Sequence, residues 1–230
     1  MISKATVVCI PYAGGSSYMF NDMSHELAGR KTMVHAIDLP GKGSRIEEMP
    51  CVDFQSALND TVKTLLELGN YSSNYVFGYS MGALLAYESV RYIFSTRNLL
   101  PPHLFLAACD PPAVYMKQPA VPLEKDEEFI EYLIKGGGIT RELADDQDFK
   151  DFFLPIVKND HKILDTYKFR EEDSYIPMSA TILYSDDETD ITEWGKYFDN
   201  SSFYHFTGGH FFIQRDIKRI CQIVSHTLEK

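Results

Sequence analysis

The 230-residue chain reads as an α/β protein built on a mostly parallel sheet with helices on both faces. Three observations carry that reading. Short β-rich runs alternate with segments of helical periodicity. One of those runs leads directly into "GYSMGA", Gly78 to Ala83, a serine between two glycines at a strand-to-helix junction. The alternation then lapses between about Pro111 and Pro177, where helical periodicity persists but no strand pattern appears. The length suits a single domain, 1–230, with 112–176 as a helical lid insertion within it.

The predicted strands are Thr6 to Ile10, Thr32 to Ile37, Tyr75 to Phe77, Leu104 to Ala108, Ala180 to Tyr184 and Ser202 to Phe206, each bounded by turn residues. Between the second and third, Asp53 reads as an N-cap ahead of Phe54, Leu58, Thr61, Leu65 and Leu68, with Gly69 closing the helix. Leu84, Tyr87, Val90 and Phe94 repeat on one helical face after the serine, which places Ser80 at a helix N-terminus. Within the insertion, Phe129, Leu133 and Ile134 form a short stripe ended by Gly136 to Gly138. A longer stripe runs from Phe149 to Tyr167, and Pro155 is expected to kink or break it. These aromatics serve either to pack the insertion on the core or to line an apolar acyl groove beneath a lid. The last helix, near Asp216 to Leu228, sets Ile217, Ile220, Cys221, Val224 and Leu228 on one side.

Composition narrows the function. Hydrophobic residues make up 44% and charged residues 24%, ordinary for a globular chain and too apolar for disorder. A formal net charge of -11 with no basic block argues against nucleic acid and against anionic lipid as partners. No stretch is long enough to span a membrane, and the N-terminal apolar run, broken by Pro11, is too short for a signal-peptide core, so a cytoplasmic location is expected. The four cysteines lack metal-ligand spacing and read as reduced small hydrophobes. No cofactor or metal is implied.

A glycine–serine–glycine turn fits a structural junction as well as a nucleophile, so the chemistry depends on partners elsewhere. Such a serine needs a histidine to take its proton and a carboxylate to orient the imidazole, in the chain order serine, acid, histidine. Of seven histidines, His210 in "FTGGHFFIQ" follows the last predicted strand beside two glycines that permit a sharp loop. The others sit on helices, strands or their edges and read as structural. The acid falls in "ILYSDDETD", after the penultimate strand at the same sheet edge. Asp187, a few residues into the loop, is preferred, and Asp186 is the alternative. The oxyanion donors follow as the N–H of Met81, next after the serine, and the N–H of Ala13 in "PYAGGSS", where Gly14 and Gly15 let the backbone turn inward. That loop lacks the lysine of a phosphate-binding loop and the spacing of a dinucleotide fingerprint.

With these residues placed, the chain resembles the type II thioesterases that accompany polyketide synthases and nonribosomal peptide synthetases, and more distantly the medium-chain acyl thioesterase of fatty-acid synthesis. The resemblance spans nearly the full length and rests on "CIPYAGGSSYMF", "DLPGKGSRI", "VFGYSMGALLAYE", "FFLPIVKNDHKILDTY" and "FTGGHFFI". Tyr12 and Tyr79 depart from it where histidine is common, and the acid loop lacks the usual glycine and aspartate–proline pair.

The resemblance implies an α/β-hydrolase fold with a helical lid, a serine–histidine–aspartate triad, and acyl or peptidyl carrier proteins bearing phosphopantetheine thioesters as partners. It leads to the expectation of a monomer that removes stalled or misprimed acyl groups through an acyl-enzyme. Since carrier domains are themselves acidic, docking is expected to be apolar or to use local bases such as Lys117, Lys135 or Arg141. A stand-alone esterase acting on small free esters, or a non-catalytic binding protein of the same fold, are the competing readings.

Overall fold

The structure, a computed structural model, describes residues 5–229; the first four residues and the last of the predicted 1–230 domain lie outside the described residues. Six strands form one sheet: β1 (Ala5–Ile10), β2 (Thr32–Ala36), β3 (Asn74–Tyr79), β4 (Leu104–Ala107), β5 (Ile176–Tyr184) and β6 (Phe198–His205). Their order is β2-β1-β3-β4-β5-β6, and every neighbouring pair is parallel. Parallel neighbours need crossovers, and the alternating helices supply them.

Each central strand sends alternate side chains to opposite faces, because the side-chain period of a strand is two. Val8 and Ile10 of β1, Val76 of β3 and Leu104 and Leu106 of β4 enter one core with α2 (Phe54–Glu67) and α3 (Met81–Arg97). Val7, Cys9, Phe77, Phe105 and Ala107 point the other way, against α1 (Asn21–Ala28) and α8 (Ile213–Leu228). Strands sandwiched in this way are apolar on both faces, which is why their sequences read as continuous hydrophobic runs. All four cysteines are free and buried.

The expected N-cap is present: the Asp53 side chain accepts the Ser56 N–H, and the Ser56 hydroxyl lies 3.2 Å from the Asp53 N–H, so each residue satisfies the other's exposed backbone donor. Two strands begin earlier than their apolar patterns suggest. β5 starts at Ile176, ahead of Pro177, with a register irregularity between Ile176 and Ser179; β6 starts at Phe198 and passes through the polar run Asp199 to Ser202. β6 is an edge strand, where polar side chains and an unpaired side are tolerated.

Between β4 and β5 the chain is helical: α4 (Pro112–Tyr115), α5 (Asp126–Lys135), α6 (Arg141–Asp145), a π-helical turn (Phe149–Phe153) and α7 (Leu154–Asp165). Phe129, Leu133, Phe149 and Leu154 form a small core of their own. Pro155 sits in the first turn of α7, directly after the π-turn. It therefore starts a helix rather than kinking one, since a first-turn residue has no intrahelical N–H bond to lose.

Candidate active site

Ser80 occupies the single residue between the end of β3 and the start of α3, with φ 54° and ψ −118°. That conformation costs a non-glycine residue on the order of 1–3 kcal/mol and is held only where the surroundings enforce it. Here they do. The Ser80 N–H donates to the Ala107 carbonyl at 2.8 Å, and the strand-to-helix turn closes so tightly that a Cβ on Gly78 would collide with the Gly82 main chain. A Cβ on Gly82 would in turn collide with the carbonyl oxygens of Ile10 and Pro11. The two glycines thus let α3 start hard against the end of β1, which brings the "YAGG" loop beside the first turn after the serine.

His210 meets Ser80 as expected: its Nε2 lies 2.9 Å from the serine Oγ. Gly208 and Gly209 have φ of 104° and 76°, which supplies the sharp loop. Beneath it, the Tyr79 hydroxyl donates to the His210 carbonyl at 2.6 Å and accepts the Ile213 N–H at 3.3 Å. The buried tyrosine therefore braces both sides of the histidine loop.

The carboxylate on the imidazole is Glu188, not Asp187 or Asp186. Glu188 Oε1 lies 3.0 Å from His210 Nδ1, and its other oxygen accepts the Ser185 N–H at 2.7 Å and hydroxyl at 2.9 Å. Asp187 instead accepts the main-chain N–H of His210 at 2.6 Å. Asp186 points outward to His205 Nε2 at 2.8 Å, with its side chain 80% exposed. The reason is local geometry. The chain turns at Asp186 and Asp187, shortly past β5, which leaves the Asp186 side chain outward and the Glu188 side chain inward, 4% exposed, against the ring. Glu188 stands in the same "SDDE" stretch, one residue beyond the position a few residues into the loop that pointed to Asp187.

Electrostatics favour this arrangement. Burial pushes the Glu188 carboxyl up, but hydrogen bonds from His210 and from Ser185 outweigh it and hold the group below the usual glutamate range. An ionised Glu188 requires the proton to sit on Nδ1, which leaves the Nε2 lone pair facing the serine hydroxyl. Asp110, after β4, supports the acid loop by accepting the Thr189 N–H at 2.6 Å and a bond from Gln118. Burial raises the Asp110 carboxyl, and nearby Glu188 adds to the rise. Sequence reasoning passed over Asp110, although "CDPP" follows a strand at the same sheet edge.

Ala13 lies in a tight turn closed by the Gly15 N–H on the Tyr12 carbonyl at 2.9 Å, and Met81 is the first residue of α3, where an N–H has no intrahelical acceptor. Tyr12, next to Ala13, contacts Tyr79 and Phe211, and Phe211 contacts His210. In the helices between β4 and β5, His161 of α7 stands edge-on to Phe129 and Tyr132. Burial, and then the like charge of His210, pushes the His161 imidazole down to about 4. Of the three suggested docking bases, Arg141 is already engaged by Glu131. No described helix is long and apolar enough to cross a membrane.

The Thioesterase domain family matches residues 5–228. The gramicidin S biosynthesis protein GrsT of Aneurinibacillus migulanus is 28% identical over 179 residues, which cover 77% of this chain and 69% of that protein. The human medium-chain S-acyl fatty acid synthase thioesterase is 26% identical, over 90% of this chain and 80% of its own length. Among solved structures, ClbQ from the colibactin NRPS/PKS pathway superposes with a TM-score of 0.90 at 24% identity, covering 99% of this chain and 98% of ClbQ. RedJ, the thioesterase of the prodiginine pathway in Streptomyces coelicolor, gives 0.87 at 25%, covering 98% and 91%. With a parallel sheet, a strained serine and a histidine–carboxylate pair all inside the matched residues, the chain belongs to the thioesterase domain family, a thioester hydrolase of the α/β-hydrolase fold similar to type II thioesterases of polyketide and nonribosomal peptide pathways.

Proposed function

We propose that the protein hydrolyses acyl groups from the phosphopantetheine arm of carrier proteins, using Ser80, His210 and Glu188 as a triad. The observation that carries the reading is the unbroken hydrogen-bond chain from Ser80 Oγ through the imidazole to Glu188, with heavy-atom distances of 2.9 and 3.0 Å. His210 Nε2 takes the hydroxyl proton as Oγ attacks the thioester carbonyl, and Glu188 stabilises the imidazolium that results. The N–H groups of Met81 and Ala13 hold the oxyanion, each contributing about 3 kcal/mol by analogy with such donors elsewhere. Collapse expels the pantetheine thiolate, which takes the proton from His210; a thiol pKa of about 8.5 makes this departure easy. Water, deprotonated by the same nitrogen, then attacks the acyl-serine; the bond to Ser80 Oγ breaks as His210 returns the proton to that oxygen, and the carboxylic acid is released.

Carrier-bound substrates are supported by the names of the relatives, which belong to gramicidin S, colibactin and prodiginine biosynthesis. The inserted helices, 112–176, act in this reading as a lid. They expose Phe152 and Phe153, and apolar docking suits an acidic carrier better than charge attraction to a chain of net charge -11 does.

The test is to measure hydrolysis of acetyl, short and longer acyl groups on an intact carrier protein, beside the same groups on a small thiol and on an alcohol, with Ser80→Ala as control. Faster turnover of the carrier thioesters, abolished in Ser80→Ala, is the expected result. Equal or faster turnover of small oxoesters would make the protein a free-standing esterase with the same triad.

A further inference from the structure

Away from the triad, the fold holds a second buried ionic cluster. Asp160 of α7 is 2% exposed, and its Oδ2 accepts Lys42 Nζ at 2.6 Å and the Gly14 main-chain N–H at 2.6 Å. Lys42, 4% exposed, comes from the loop after β2, and Gly14 from the loop after β1. Three distant parts of the chain thus meet on one oxygen. Stability alone is a poor reason to keep such a pair, because the desolvation of two buried ions commonly cancels their attraction. What the pair does is hold one backbone N–H in one orientation.

That N–H belongs to the proposed oxyanion loop. Tyr12 to Gly15 form a turn in which the Gly15 N–H bonds the Tyr12 carbonyl and Gly14 has φ 79°, the value of the third residue in a type II turn. The Tyr12 carbonyl and the Ala13 N–H share a peptide plane, so the Gly15 bond sets one side of Ala13. The other side is the Ala13–Gly14 peptide, which in a free turn flips between two orientations. A carboxylate accepts the N–H and repels the carbonyl, and so selects one of them. Helix α7 also grips the turn sterically, since a Cβ on Gly14 would lie 2.7 Å from Val157 Cγ2.

We propose that Asp160, paired with Lys42, is a positioning residue that locks the Tyr12 to Gly15 turn with the Ala13 N–H facing Ser80. Because Asp160 and Val157 sit on the helix that belongs to the insertion, the oxyanion site is complete only while α7 is docked. The inserted helices therefore set the competence of the site as well as cover it. This inference rests on the serine-hydrolase reading of the site, with Ala13 as one of the two donors.

The experiment follows labelling of Ser80 by a fluorophosphonate, whose phosphoryl oxygen occupies the oxyanion site, in the wild type and in Asp160→Ala, Asp160→Asn and Lys42→Met. Rate and final amplitude are read separately, and thioester turnover is measured alongside. The expected result is full amplitude with a rate lowered about tenfold to a hundredfold in Asp160→Ala, somewhat less than loss of a whole donor. Asp160→Asn, which keeps an oxygen acceptor, falls between it and the wild type, and kcat declines in the same order with KM changing less. Should Asp160→Ala not fold, Asp160→Asn and Lys42→Met carry the comparison. Wild-type labelling rates in the folded variants, or reduced amplitude at unchanged rate, would overturn the proposal, the latter by showing only a folding defect. A wild type that is not labelled at Ser80 overturns the hydrolase reading and this inference with it. One that is labelled but cleaves no thioester overturns only the substrate assignment.

Discussion

Glu188 holds the imidazole of His210 at Nδ1, while its chain neighbour Asp187 holds the main chain of the same histidine. Two adjacent carboxylates thus share one partner and divide ring orientation from loop position between them. Substituting them should separate those tasks. Glu188→Gln leaves the shape but removes the charge that fixes the Nδ1–H tautomer, and kcat is expected to fall by about 10³- to 10⁴-fold. Asp187→Asn keeps an acceptor for the His210 N–H, and Asp186→Asn touches only the exposed pair with His205. Both should stay within about tenfold of wild type. Steady-state kinetics on one acyl thioester decide the matter, and a larger loss in Asp187→Asn than in Glu188→Gln would reassign the acid.

The elbow glycines are predicted to be structural requirements rather than catalytic ones. Gly82→Ala places a methyl into the carbonyls of Ile10 and Pro11, and Gly78→Ala places one into the Gly82 backbone. Main chain on both sides cannot yield as a side-chain tip does. Each substitution should cost more than about 3 kcal/mol or prevent folding, seen as loss of soluble protein or a collapsed thermal transition. A well-folded Gly82→Ala with normal Tm would mean that the turn is looser than described.

Asp38 predicts a distinct acid sensitivity. Its carboxylate accepts the N–H and hydroxyl of Ser17 at 2.6 and 2.9 Å and those of Ser44 at 2.8 and 2.9 Å, joining the loops after β1 and β2. Burial pushes its pKa up, but the hydrogen bonds from Ser17 and Ser44 prevail and hold it below the ordinary aspartate value. A group depressed on folding contributes stability above its unfolded pKa, and that contribution is lost as pH falls through the folded one. Asp38→Asn should therefore be less stable than wild type by about 1–3 kcal/mol near pH 7. The gap should narrow below about pH 4, the unfolded aspartate value. Denaturant titrations of both proteins across that range measure the difference.

His161 also costs stability on acidification, but through burial rather than through hydrogen bonds to a carboxylate. With its pKa held down at about 4 by burial and then by the charge of His210, the folded protein keeps this ring neutral where the unfolded chain takes up a proton. Stability is lost as pH falls from about 6.5 toward the folded value, by up to about 2 kcal/mol after allowance for partial solvent access. His161→Phe removes that dependence, so its unfolding free energy should decline less than the wild type's from pH 7 to pH 5. Parallel curves for the two proteins would place His161 in a wetter setting than the ring contacts with Phe129 and Tyr132 imply.

Much of this molecule was legible in one dimension because the relevant forces are local. Short β-rich runs of three to six residues, bounded by turn residues, marked the strands, and the central ones are almost wholly apolar because a strand covered on both faces has no polar side to interrupt it. The pairing of Gly78 and Gly82 about Ser80 marked the elbow, because that backbone turn has no room for a Cβ. Gly208 and Gly209 marked the histidine loop for a related reason, their positive φ. Polar stretches misled where an edge strand tolerates them, as in β6.

The sequence by itself determined the fold class and singled out Ser80 and His210, which the structure brings to 2.9 Å, since strand periodicity and glycine conformations are properties of neighbouring residues. Only the tertiary structure decided which of three consecutive carboxylates faces the imidazole of that histidine, because the answer depends on how a turn aims each side chain. It likewise decided that Asp160, far along the chain and hidden in a helical stripe, would reach Gly14 and Lys42. Hydrogen bonds between residues more than a hundred positions apart leave no periodic trace, because their geometry exists only once the layers have packed.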